Sequence, residues 1–169
     1  PRNKDSDRRD SGLLYYGVGE HGVGDGFWLQ SQEFQIQEGD CGDYWGVAGA
    51  LADIPASLNQ DGIYQFNPRA QLLTFDKNNE IGRFCKKFPD AEKPNGEWNT
   101  LDLYTFNGTS LHIVNGTLTM KLVHSRVPSG DGEIALTKGK IQFQSEGAEV
   151  FYRNIRVQKI IKLPDFSSN

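Results

Sequence analysis

Polar and apolar side chains along this chain alternate with a period of two, and no stretch keeps a 3.6-residue period over ten residues. The clearest alternation lies in Ser31–Asp40, SQEFQIQEGD, where Phe34 and Ile36 share one face of a strand. Glu33, Gln35 and Gln37 share the other. Ser11–Val18 reads as a strand with Leu13 and Tyr15 opposite Leu14 and Tyr16, and residues 1–10 as a charged surface loop. Val47–Pro55 is either a bulged strand or one short helical turn, and a brief strand is expected around Tyr64–Phe66. Trp98–Phe106 alternates, Asn107–Gly108 and Asn115–Gly116 are hairpin signals, and Leu118, Met120 and Leu122 continue a meander. Val127–Gly132 reads as a loop, Lys140–Gln144 as a strand, and Val150–Val157 as the last strand. The pattern predicts an all-β fold, a two-sheet antiparallel sandwich. Phe34, Ile36, Leu101, Leu103, Leu111, Ile113, Ile141, Phe143, Phe151, Ile155 and Val157 are expected to face inward, with Trp98 in the core.

Composition narrows this further. A length of 169 residues suits one domain, and 19 glycines favour many short strands. A net charge of -4 gives nucleic-acid binding no electrostatic support. No apolar run approaches the roughly 20 residues of a membrane-spanning helix. Cys41 and Cys85 fit no metal-binding spacing, so they form one disulfide or remain two buried thiols.

Candidate chemistry gathers around the strand at Glu33. Its polar face carries one carboxylate and two amides, short directional groups that suit sugar hydroxyls, although such a face can equally be mere solvated surface. Gly39, Asp40, Gly42 and Asp43 form a turn that ends on Tyr44 and Trp45, aromatics of the kind found at sugar-binding rims. His112 alternates with Leu111 and Ile113, so it is expected on the outer face; the glycine loop at Glu20–Gly26 carries His21. Glu33 and Glu38, spaced around Gln35, also match the acid pair of retaining β-glucanases, in which the central residue is an Asp. Gln35 cannot supply that charge. Arg153 shares parity with apolar residues and is expected to pair with Glu97 or Glu149.

Five segments in this order, DSGLLYY (10–16), QEFQIQEGDCGDYWG (32–46), GEWNTLDLY (96–104), LHIVNG (111–116) and GKIQFQSEGAEVFYRNIRV (139–157), resemble the 3-keto-disaccharide hydrolase family. The resemblance implies a concanavalin A-like jelly roll and action on 3-keto-glucosides or 3-keto-disaccharides in the bacterial periplasm or outside the cell. It implies two or three further strands before residue 10, which are absent here or supplied by a separate piece. It also places Glu33 and His112 as the proton-transfer pair. Asp10, Tyr16, His21, Gln35, Gln37, Tyr44, Trp45 and Gln144 are the expected substrate contacts. The chemistry needs a base near C2, an electrophile at the ketone oxygen and an acid for the leaving group; no particular cofactor is implied, and an assisting divalent metal ion stays open. Two other readings remain: a non-catalytic carbohydrate-binding module, and a glycosidase using Glu33 and Glu38.

Overall fold

The structure, a computed structural model, describes residues 2–166. Its regular elements are all strands: β1 (Asp10–Val18), β2 (Gln30–Gln35), β3 (Tyr44–Val47), β4 (Leu51–Leu58), β5 (Tyr64–Phe66) and β6 (Leu72–Phe75) come first. β7 (Phe84–Cys85), β8 (Leu101–Phe106), β9 (Thr109–Val114), β10 (Thr117–Ser129), β11 (Gly132–Ala135) and β12 (Lys140–Glu146) follow. They make two antiparallel sheets. One runs β12-β1-β2-β3-β7; the other runs β5-β4-β10-β9-β8, with β6 paired to β4 and β11 to β10. This is an open sandwich consistent with a jelly roll. Both Asn-Gly hairpins form where expected, with Asn107, Gly108, Asn115 and Gly116 all at positive φ, the backbone that two-residue turns demand.

The core lies between the sheets in two clusters. One joins Tyr44, Cys85, Ile54, Phe75, Met120 and Leu122. The other joins Tyr15, Tyr16, Phe34, Cys41, Val114 and Leu136, with Leu101, Leu103 and Ile36 packed against it. Both cysteines are buried free thiols, one in each cluster. Val47–Pro55 resolves as the end of β3, a turn through Gly49 and the start of β4. Strand β10 runs on through Val127–Ser129 and folds back as β11, so the expected loop is a hairpin.

Several inward assignments need correction. His112 and Val114 face the opposite sheet, while Leu111 and Ile113 occupy the back of β9, where Leu111 lines a groove with Leu118, Leu163 and Phe166. Alternation was right and its phase was wrong, because a buried His satisfied by a partner counts as a core residue. Ile141 and Phe143 are 53% and 42% exposed, since β12 is the outermost strand of its sheet. Val150–Val157 forms no ladder, and Phe151, Ile155 and Val157 are exposed. Trp98 is likewise exposed, with the Arg153 guanidinium 3.9 Å above its ring.

Candidate functional site

Phe34 stacks on His112 of the other sheet, so Glu33 and Gln35 project from the outer face of β2. Cross-strand pairing then decides their neighbours. Glu33 lies opposite Leu14 of β1 and Trp45 of β3; Gln35 lies opposite Gly12, and Gly12 opposite Gln144. Asp10 lies opposite Glu146. A row of polar side chains from three strands thereby gathers on one surface, spaced at the roughly 5 Å of cross-strand neighbours.

Gly12 makes room for the central carboxylate. A Cβ there would fall 1.9 Å from Glu33 Oε1 and 3.2 Å from Gln144 Nε2. The Glu33 carboxylate thus lies over bare backbone, and Gln144 Nε2 donates to its Oε1 at 3.1 Å. Only 7% of Glu33 is exposed. Burial raises its carboxyl from 4.5 to about 7; the Gln144 hydrogen bond pulls it back, the negative charges of Asp10 and Glu146 push it up, and Arg83 opposes them. At neutral pH it can both take and release a proton.

Asp10 is tied to the same strand. Gln35 Nε2 donates to its Oδ1 at 3.2 Å and Gln37 Nε2 to its Oδ2 at 2.7 Å. Burial first, then the charge of Glu146 and a hydrogen bond to it, raises Asp10 from 3.8 to about 6; the two amides act the other way. On the far side of Glu33 the Trp45 ring lies 4.6 Å from Phe84, and the Arg83 guanidinium is 5.2 Å from the Trp45 centroid. Asp43 is almost wholly buried beside them, and its Oδ1 accepts from the Lys87 backbone N–H at 2.8 Å.

Of the sequence-based candidates, the outer face collects Glu33, Gln35, Gln37, Asp10, Trp45 and Gln144. It does not collect His112. That imidazole is fully buried between the sheets, its Nε2 2.9 Å from the Tyr15 hydroxyl, and burial lowers it from 6.5 to about 3. The expected pairing of Glu33 with His112 on one surface is therefore absent, because β2 and β9 belong to different sheets. Tyr44 is also interior and donates to Gln32 Oε1 at 2.6 Å, and Tyr16 packs in the second cluster. Neither can form a rim. His21 sits exposed on the loop between β1 and β2. Glu38 is held by Arg2 at 2.8 Å, by Arg9 at 3.6 Å and by Asn95 at 2.8 Å, which occupies the second acid of the β-glucanase reading. Among the described residues, no three or more His, Cys, Asp or Glu side chains are arranged to hold a metal ion.

Sequence reasoning missed Glu146 and Arg83. Glu146 continues the Gln142, Gln144 parity of β12 and was open to the same argument. Arg83 carried no local signal, since only the pairing of β7 with β3 brings it to Trp45.

The five segments, the sandwich and the polar outer face are mutually consistent, and the profile of one family, the 3-keto-alpha-glucoside-1,2-lyase-like domain, matches residues 2–158. The chain belongs to this family. Neither a curated protein nor a solved structure matches it significantly. Membership in the lyase-like family places the chain among glycoside-acting domains. Within that family frame, the outer face of β1, β2, β3 and β12 holds the titratable cluster described here.

Proposed function

We propose that this protein cleaves 3-keto-glucosides by proton abstraction beside the ketone, with Glu33 as the base. The observation that carries the reading is the seat of Glu33: a buried carboxylate over Gly12, held near neutral pKa and flanked by amides suited to hydroxyls. A C3 ketone acidifies the hydrogen at C2. Glu33 takes that proton, the C2–H electron pair moves toward the ketone to give an enolate at the C3 oxygen, and its return forms the C1=C2 double bond as the C1–O bond breaks. The departing oxygen keeps its electron pair and receives the proton from Glu33. Water added to the product afterwards gives net hydrolysis.

Asp10 and Glu146 strengthen the base through their negative charge, while Gln144 fixes its orientation. Arg83, whose charge is felt at Glu33, supplies positive charge for the oxygen at C3 as the enolate forms. The test is one assay of a chromogenic 3-keto-glucoside beside its unoxidised parent. Release from the keto compound alone is expected. Release from the parent alone would replace this reading with ordinary glycosidase chemistry, and binding without release from either would leave a carbohydrate-binding module.

A further inference from the structure

The five-stranded sheet ends on one side in β7, a strand of two residues, and on the other in β12, a strand of seven. A very short end strand offers another chain little to pair with, whereas a long one leaves a row of N–H and C=O groups open. Among the described residues β12 pairs with β1 alone, and Val150–Val157 supplies no ladder to its free edge. The usual protections are missing as well. β12 holds no proline and one lysine, at its first position. The register break between β1 and β12 puts the extra residue in β1, so β12 itself is not bulged. Phe143 lies opposite Leu13 on the inner face of the sheet, yet both Phe143 and its neighbour of like parity, Ile141, are exposed. Such an edge is a template for one more strand.

The sequence of β12 says which strand fits. KIQFQSE is close to its own antiparallel complement about Phe143. Run against a second copy, Lys140 falls opposite Glu146 of the partner subunit, and Glu146 opposite the partner subunit's Lys140. Gln142 meets the partner's Gln144, Ile141 the partner's Ser145, and Phe143 the partner's Phe143. Opposed residues share a face, so the apolar side chains gather on the inner side and the charges and amides on the outer side. A parallel pairing in register would instead set Lys140 against Lys140 of the partner subunit. The chain's own tail is a poorer match for this edge. A hairpin through 147–149 would set Arg156 against Lys140 and Arg153 against Phe143, and it would need Asn154, now at φ 56, to become extended. Charge therefore favours a second β12 over Val150–Val157.

We propose that two copies of this chain pair through β12, antiparallel and centred on Phe143, joining their five-stranded sheets into one continuous sheet. Twofold symmetry follows, because each copy presents the same edge. The pairing reaches the Glu33 surface. Gln144, which donates to Glu33, and Glu146, whose charge is felt there, both belong to β12. The charged and titratable groups that act between Glu33 and its surroundings are Asp10, Glu146, Arg83 and Tyr152, and of these Glu146 alone lies on β12. Lys140 of the partner subunit sets a positive charge beside Glu146 and offsets its push on Glu33. Assembly thereby lowers the pH at which Glu33 ionises. This last step rests on the reading of Glu33 as the base; the pairing itself does not.

Sedimentation of the full chain, from low to high micromolar concentration, is expected to show a reversible monomer–dimer equilibrium. Lys140→Glu and Glu146→Lys, each alone, set like charges face to face twice and should weaken the dimer about tenfold, while the double variant restores it. Phe143→Asp changes an exposed side chain, so the fold tolerates it, and should leave monomer throughout. A wild type that stays monomeric overturns the proposal. So does a dimer indifferent to Phe143→Asp, or a double variant no better than its singles, since either would place the contact elsewhere. The link to the site is read from kcat/KM on a 3-keto-glucoside, followed against pH on both sides of the equilibrium. The midpoint should stand lower in the dimer, by less than about one pH unit. An unchanged midpoint overturns the link and leaves the pairing. Absence of any cleavage overturns the reading of Glu33, and the link with it, while the pairing is decided by sedimentation alone.

Discussion

Glu33 and His112 are both ionisable, both buried and both close to Phe34, yet they stand in opposite conditions. His112 stacks on the Phe34 ring at 4.3 Å and 1° and shares a hydrogen bond with Tyr15. Beside it Gln32 is matched on both sides, with Tyr44 and with the Leu51 carbonyl. Glu33 lies on the other side of the same strand among groups that do not cancel: two further carboxylates, an arginine and an amide with an idle oxygen. Burial is common to both. What separates a structural group from a chemical one here is whether its neighbours leave it with work undone.

The sharpest way to break that contrast is to remove each group in turn. Glu33→Gln should cut kcat on a 3-keto-glucoside by about 10³-fold, within the range for a proton-transfer group, with folding intact. His112→Ala should instead lower unfolding free energy by about 2–4 kcal/mol, leaving kcat per folded molecule within about twofold. Denaturant melts run beside the kinetics decide it. If the histidine variant proves stable and inactive, the assignment of His112 to the core's polar bonding is wrong.

The same contrast predicts a stability optimum in pH. Between pH 4.5 and about 7 the folded state holds the Glu33 proton that the unfolded chain has released, so stability falls as pH rises through this window. Asp43, raised from 3.8 to about 7, and Asp10, raised to about 6, act in the same direction, each chiefly through burial. His112 acts oppositely. The unfolded chain takes up its proton near 6.5 and the folded state refuses it until about 3, so stability falls as pH drops below 6.5. Glu38, held low by Arg2 and the Arg9 backbone, and Asp53, held low by His124, Thr74 and Arg126, add to the acid side. Above about pH 4.5 the three raised acids outweigh the one lowered histidine, so maximum stability is expected near pH 4, and Glu33→Gln should recover on the order of 3 kcal/mol at pH 8. Unfolding curves that are flat from pH 5 to 8 would contradict the burial of these acids.

A smaller effect isolates the seat of the carboxylate from the rest of the sheet. Gly12→Ala places a methyl where Glu33 Oε1 now lies, and the carboxylate end can swing aside. Stability should therefore change by less than about 1 kcal/mol while kcat drops about tenfold, since a misplacement of this size is costly to a reacting group. A variant with full activity would show that the carboxylate does not need this position.

Much of this was legible from alternation. Period two fixed the all-β class, the two Asn-Gly hairpins and the outward projection of Glu33 and Gln35. The failures share one cause. Alternation assigns a residue to a face but does not say what covers that face, so Phe151, Ile155 and Val157, which read as core, are bare. Nor does it fix phase when a polar residue is satisfied internally, which is why His112 and Tyr44 read as surface. Arg83 was invisible because a two-residue strand paired across some forty positions brings it in.

The finest test asks whether the neighbours of Glu33 tune it as their placement implies. Asp10 carries negative charge near the carboxylate and raises its pKa; Gln144 donates a hydrogen bond and lowers it. Ionised Glu33 is the form that takes the proton, so kcat/KM should climb with pH through a midpoint near 7. Asp10→Asn removes a like charge, and the midpoint should move down. Gln144→Ala removes the donor, and the midpoint should move up. Each displacement should be under about one pH unit, the scale of a single partly screened charge or hydrogen bond. Residues that merely supported the sheet would lower the whole profile without moving its midpoint. Two shifts of opposite sign cannot come from general loosening. Shifts of the same sign, or none, would detach Asp10 and Gln144 from the chemistry of Glu33.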